Sequence, residues 1–121
     1  MKEKLSELLD SLVEYLPKLD RGLDSIVTDI QIGNNEGALS TLKQFTEGLS
    51  WVYEALLAVR NTKVITLEVF DLDKNLRVLD ELNNALEHRD FVLISDILQY
   101  EIKEELRQYL IESVKIKTEI L

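Results

Sequence analysis

Leu5, Leu9, Leu12, Leu16, Leu19, Leu23, Ile26 and Ile30 follow one another at alternating spacings of four and three. That heptad rhythm lays a continuous apolar stripe along one side of an α-helix. A stripe of this length needs other helices to cover it, and this constrains the rest of the chain. Pro17 interrupts the stripe chemically, because it has no N–H to donate and its ring crowds the carbonyl four residues earlier. The spacing nevertheless runs through it undisturbed. The segment therefore predicts one long kinked N-terminal helix, with two stacked helices as the alternative.

The segment closes at GNNEG, where Gly33 can take the left-handed conformation of a helix stop and Asn34 or Asn35 can cap the next helix. So short a turn makes the neighbouring helices antiparallel. Leu42, Phe45, Leu49, Val52, Leu56 and Val59 then give a second core stripe. Gln44, Gly48, Trp51, Ala55 and Ala58 line up on another face of the same helix, with a large indole among small residues that admit a close neighbour. Packing within the chain is the ordinary outcome for such a face. Gly48, Trp51, Ala55 and Ala58 are also the candidate interface with a partner.

Residues 61–71, NTKVITLEVFD, are rich in β-branched side chains, and their period is ambiguous between strand and early helix. A lone strand would have no partner, so the expectation is a connection that lays Val64 and Ile65 on the bundle, with a third helix starting between Thr66 and Asp71. Its core stripe is expected at Leu72, Leu76, Leu79, Leu82 and Leu86, and its end near His88 and Arg89, whose charge suits the carbonyl end of the helix dipole. Asp90 caps a fourth helix with an apolar face of Phe91, Ile94, Leu98, Ile102, Leu106 and Leu110. Val92, Leu93 and Ile97 broaden that face, so the start of this helix is expected to be deeply buried. ESVKIKTEIL prolongs it with a loose tip.

The chain is thus expected to be all-α, a four-helix up-down bundle forming a single domain over residues 1–121. Composition agrees: a single Pro and four Gly leave few turn residues for an all-β fold of this length. The absence of Cys removes disulfides, thiol nucleophiles and Cys-based metal sites. Charged Glu7, Asp10 and Glu14 break up the N-terminal leucines, unlike a signal peptide, and no segment is apolar for long enough to span a membrane. A cytoplasmic location is expected. The net charge of −9 with scattered Lys and Arg argues against a nucleic-acid partner.

Recognisable chemistry is sparse. His88 is the only histidine, which rules out the paired Glu-x-x-His motifs of di-iron bundles. Its place between Glu87 and Arg89 suits a surface residue better than a general base. Asp71, Asp73 and Asn75 copy the opening of a calcium loop, but Leu76 replaces the required Gly and Leu82 the final Glu. A helix start with solvated acids accounts for them. Arg21, Arg60, Arg77, Arg89 and Arg107 lie on separate segments, each near an acid at helical spacing or near a helix end. Tyr100 and Glu101 are the most suggestive pair, since Glu101 interrupts an apolar stretch, although a position at the edge of the core explains it. No metal or cofactor is expected.

The segment Asp90, Phe91, Val92, Leu93, then Asp96, Leu98, Tyr100, Glu101, together with Glu47–Trp51 (EGLSW) and the following EAL, resembles a group of uncharacterised small helical proteins from Gram-positive bacteria with the motif D-[FY]-V-L-x-x-D-x-L-x-Y-E. The resemblance covers about half the chain and implies no catalytic residues, and at most a flagellar accessory role. Members often have a proline after the Tyr-Glu pair. Here Ile102, Lys103 and Glu104 follow instead, so a straight, continuous fourth helix is expected.

Two functions remain in play. The leading one is a non-enzymatic adaptor or chaperone-like bundle that binds a protein partner or a second copy of itself, the second copy giving a homodimer. The alternative is a small helical enzyme or metabolite-binding protein, with Arg60, Arg77, Tyr100 and Glu101 as the first polar candidates to converge on a pocket.

Overall fold

The computed structural model of the chain describes residues 2–62 and 71–120, and all of these lie in helices or in the short turns between them. α1 spans Lys2–Gln31, α2 Asn35–Asn61 and α3 Leu72–Glu87. α4 (Phe91–Ile97) runs directly into a π turn (Leu98–Ile102) and on into α5 (Lys103–Ile120), so these three pieces form one rod. The fold is all-α, a four-helix bundle with a long N-terminal helix. No helix among the described residues is long and apolar enough to cross a membrane.

α1 is a single helix of about 45 Å, at 1.5 Å per residue, with Pro17 inside it. The expected stripe from Leu5 to Ile26 is wholly buried, and Ile30 is half-buried at its end. This stripe packs along both α2 and α5, which makes α1 the spine of the molecule. The α2 stripe from Leu42 to Val59 is likewise buried.

The turns before α2 and α4 use the same device. In the first, the Gly33 N–H donates to the Ile30 carbonyl and the Asn34 N–H to the Asp29 carbonyl. Gly33 adopts a φ of 81° and the Asn34 side chain accepts from the Gly37 N–H. In the second, the Arg89 N–H donates to the Leu86 carbonyl, the Asp90 N–H to the Ala85 carbonyl, and the Asp90 side chain accepts from the Leu93 N–H. Each turn satisfies the last carbonyls of one helix and caps the next without a spare residue. Antiparallel neighbours follow.

Three expectations need correction. The buried face of α3 is Asn75, Val78, Leu82 and Ala85, with Leu79 and Leu86 half-buried and Leu76 47% exposed. The helix is therefore rotated so that an asparagine takes the place expected for a leucine. At the start of α4, Ile94 and Ile97 are buried but Val92 and Leu93 are exposed, so the broad apolar face narrows to one side. The rod is not a continuous α-helix either, because the π turn intervenes at the Tyr-Glu pair. The assignments of Val64 and Ile65 and of the helix start before Asp71 fall on residues 63–70, outside the described residues. Asp71 itself caps α3, its side chain accepting from the Lys74 N–H. A helix start, and not a calcium loop, thus occupies that acidic stretch.

Candidate functional site

Three features carry polar or exposed aromatic groups where the bundle does not require them. The first lies on the outer face between α1 and α2. Gly48 leaves room for two α1 side chains, since a Cβ there would lie 2.1 Å from the Tyr15 hydroxyl oxygen and 3.1 Å from a Leu19 methyl. With its hydroxyl seated over Gly48, the Tyr15 ring meets Trp51 edge to face, centroids 5.4 Å apart at 82°, a geometry favoured by the ring quadrupoles. Trp51 keeps 38% of its surface exposed. It forms a groove of about 360 Å³ with Ser11, Glu14, Tyr15 and Lys18. Glu47 and Glu54, at i−4 and i+3 from Trp51, flank it on α2 and are exposed, while Glu14 pairs with Lys18 on α1. The groove has an aromatic floor with the Glu14–Lys18 pair at its edge, and Glu47 and Glu54 lie outside its lining, on the side of Trp51 away from α1.

The second feature lies where Pro17 meets the π turn. Leu16, Pro17, Leu106 and Leu110 form the apolar floor of a groove of about 420 Å³, with Asp20, Arg21, Gln99, Lys103, Glu104 and Arg107 around it. Lys103 Nζ reaches Asp20 at 3.0 Å and Asp24 at 2.9 Å, latching α5 to α1. These two carboxylates hold the ammonium above its usual range, with the hydrogen bond to Asp24 the largest cause. Arg107 forks onto Glu104 and lowers that carboxyl.

The third is interior. Glu105 on α5 is buried and one of its oxygens accepts from the Tyr53 hydroxyl of α2 at 3.3 Å. Tyr109, one turn on, donates to Asn75 Oδ1 of α3 at 2.9 Å. The other Glu105 oxygen and Asn75 Nδ2 are buried without a partner among the described residues. Burial pushes the Glu105 carboxyl up, against the pull of the Lys74 ammonium and the Tyr53 hydroxyl. Burial also raises both phenols, with the Glu105 carboxylate adding to it. A buried carboxyl between two phenols has the makings of acid–base chemistry, but here it is closed in by three helices and serves to clamp them.

The residues expected from sequence are dispersed differently. Of the candidate interface, Gly48 and Ala55 are buried against the molecule's own helices, whereas Trp51 is partly exposed and Ala58 exposed. Arg60 lies in the last turn of α2, Arg77 on the outer side of α3, and Tyr100 and Glu101 on the outer side of the π turn. None of these four lines either groove. His88 is exposed, its Nδ1 2.8 Å from the Asn84 carbonyl at the end of α3. Among the described residues, no three Asp, Glu or His side chains lie close enough to hold a metal ion. Sequence reasoning missed Tyr53, Asn75, Glu105 and Tyr109. Their one signal was a position three or four residues from apolar side chains of the same helix, as every boundary residue has.

Searches among curated proteins and among solved structures return no match. A family model described as a domain of unknown function, DUF8042, matches residues 7–112, which takes in α1 through most of α5 and all three features above. The chain belongs to the DUF8042 family.

Proposed function

We propose that this chain is a non-enzymatic interaction module of adaptor or chaperone-like kind, and that the groove at Trp51 receives a basic amphipathic helix of a partner protein. The observation that carries this is the exposed Trp51 ring, held edge to face by Tyr15, with the exposed carboxylates Glu47 and Glu54 one turn to either side of it on α2. An indole costs solvation free energy where it is left in water, and an aromatic face beside carboxylates favours a Lys or Arg side chain by cation–π attraction and by charge. The net charge of −9 steers such a partner in. An apolar helix face would cover the floor while its basic flanks meet Glu14, Glu47 and Glu54. The motif resemblance supports a setting in the cytoplasm of a Gram-positive bacterium, with a flagellar accessory role among the uses of such a module.

The test is a titration of Trp51 emission with a synthetic Leu/Lys amphipathic helix, alongside its Leu/Glu counterpart. Saturable binding of the basic peptide alone, with a blue shift that is lost in Glu47→Lys/Glu54→Lys, supports the proposal. Equal response to both peptides, or none, overturns it. Light scattering alongside decides whether a homodimer already uses the face. A blue shift that grows with protein concentration alone makes a second copy the occupant in place of a basic partner.

A further inference from the structure

We infer that the groove between Pro17 and the π turn is a binding site for a small amphiphile with an apolar chain and a carboxylate head. It is separate from the Trp51 groove and shares no lining residue with it.

Two helix irregularities meet at this one place. Pro17 supplies no N–H, so the Val13 carbonyl loses its helical donor. Across from it, the rod widens into five residues of π geometry, a form that appears mostly as single turns and often at functional sites. Both segments contribute to the groove wall, Pro17 from one side and Gln99 from the other. The result is an opening of about 420 Å³ over an apolar floor, within the roughly 300–1,000 Å³ range of small-molecule sites.

The charges around the floor select the head group. Three cations of the lining, Arg21, Lys103 and Arg107, stand against three carboxylates, Asp20 and Glu104 in the lining and Asp24 beside Lys103. Lys103 is occupied by Asp20 and Asp24, and Arg107 by Glu104. Arg21 is exposed, has no ion pair among the described residues, and stands one turn beyond Pro17 on the same side of α1. A guanidinium at the mouth of an apolar groove offers paired donors to a carboxylate. The overall negative charge does not prevent this, because at physiological salt it is screened beyond about 8 Å.

The test uses the full chain and decanoate, with decanol and decyltrimethylammonium as controls for chain and charge, followed by amide chemical shifts. The expected result is saturable decanoate binding, with shifts confined to residues around Pro17–Arg21 and Gln99–Leu110. Decanol should bind more weakly and the cation not at all. Arg21→Gln, an exposed substitution that leaves the fold intact, should weaken decanoate about tenfold and leave decanol unchanged. Equal binding of all three amphiphiles, shifts centred on Trp51, or an Arg21→Gln variant that binds decanoate as well as the parent would each overturn the inference. Failure here leaves the basic-helix proposal untouched, since that is read from Trp51.

Discussion

Arg89 has a φ of 52° in the turn before α4, where Gly33 does the same work with a φ of 81° before α2. A side chain in the left-handed region costs about 1–2 kcal/mol, which glycine avoids. Arg89→Gly should therefore raise stability by about 1 kcal/mol, read as a higher midpoint in urea with an unchanged slope. Gly48 makes the converse case. Alanine would gain about 1 kcal/mol of helix propensity, but its Cβ would sit 2.1 Å from the Tyr15 hydroxyl oxygen. The hydroxyl is the free end of the Tyr15 side chain, and moving it aside draws the ring from its edge contact with Trp51. Gly48→Ala should thus lose about 1 kcal/mol net, since overpacking costs about 1–3 kcal/mol, and should shift Trp51 emission to the red. Unchanged emission would mean the ring pair does not depend on the space that Gly48 leaves for the Tyr15 hydroxyl.

At the scale of elements, α1 and α2 were legible because their stripes are unambiguous: every residue from Leu5 to Ile26 in the first series, and from Leu42 to Val59 in the second, is buried. α3 was misread because two registers compete. Leu76 and Asn75 are neighbours, and leucine wins on hydrophobicity alone. The observed register instead brings Asn75 to the Tyr109 hydroxyl and leaves Leu76 half in solvent, a choice that depends on a residue far away in sequence. The rod was misread for a related reason. In an unbroken α-helix, Glu101 follows Ile97 by one turn, at the edge of the core, the position expected of it from sequence. The π turn takes up one extra residue, so Glu101 and Tyr100 lie outward, the expected core positions Leu98, Ile102 and Leu106 all stay inward, and Glu105 becomes the buried carboxyl. No local propensity marks such an insertion; only the packing on either side fixes it. Deleting Tyr100, which is 76% exposed, should therefore convert the rod to continuous α-helix and keep both halves facing the core, with a thermal midpoint close to the parent. Deleting Leu106, from regular helix, should turn the remainder of α5 off the core and cost at least the roughly 2–5 kcal/mol of losing a buried leucine. Similar losses from both deletions would count against the π turn as an insertion.

Across the whole molecule, the Glu105 cluster is the contact in which α2, α3 and α5 meet through polar atoms. α3 needs it, because Asn75 interrupts its buried face and Leu79 and Leu86 are only half-covered. The groups facing Glu105 are Tyr53 from α2, Lys74 and Asn75 from α3, and Glu101 and Tyr109 from its own rod. Burial outweighs Lys74 and Tyr53, so the folded state holds the Glu105 proton more tightly than the unfolded chain, whose carboxyl titrates near about 4.3. The sign follows from linkage. With the pKa raised on folding, the contribution of Glu105 is most favourable below the unfolded value and is lost as the pH rises through the folded one. Glu105→Gln keeps an acceptor for Tyr53 and cannot ionise. The stability difference between variant and parent should accordingly be small at acid pH and grow in favour of the variant toward neutrality, reaching about 1 kcal/mol, the scale of leaving a buried polar atom unsatisfied. Comparing the two proteins at each pH cancels the other carboxylates, including Glu104, whose shift runs the opposite way. A difference that is flat between pH 4 and pH 8 would mean that Glu105 is ionised and adequately paired in the folded state. The joint between α3 and the rest of the bundle would then be as firm at neutral pH as in acid.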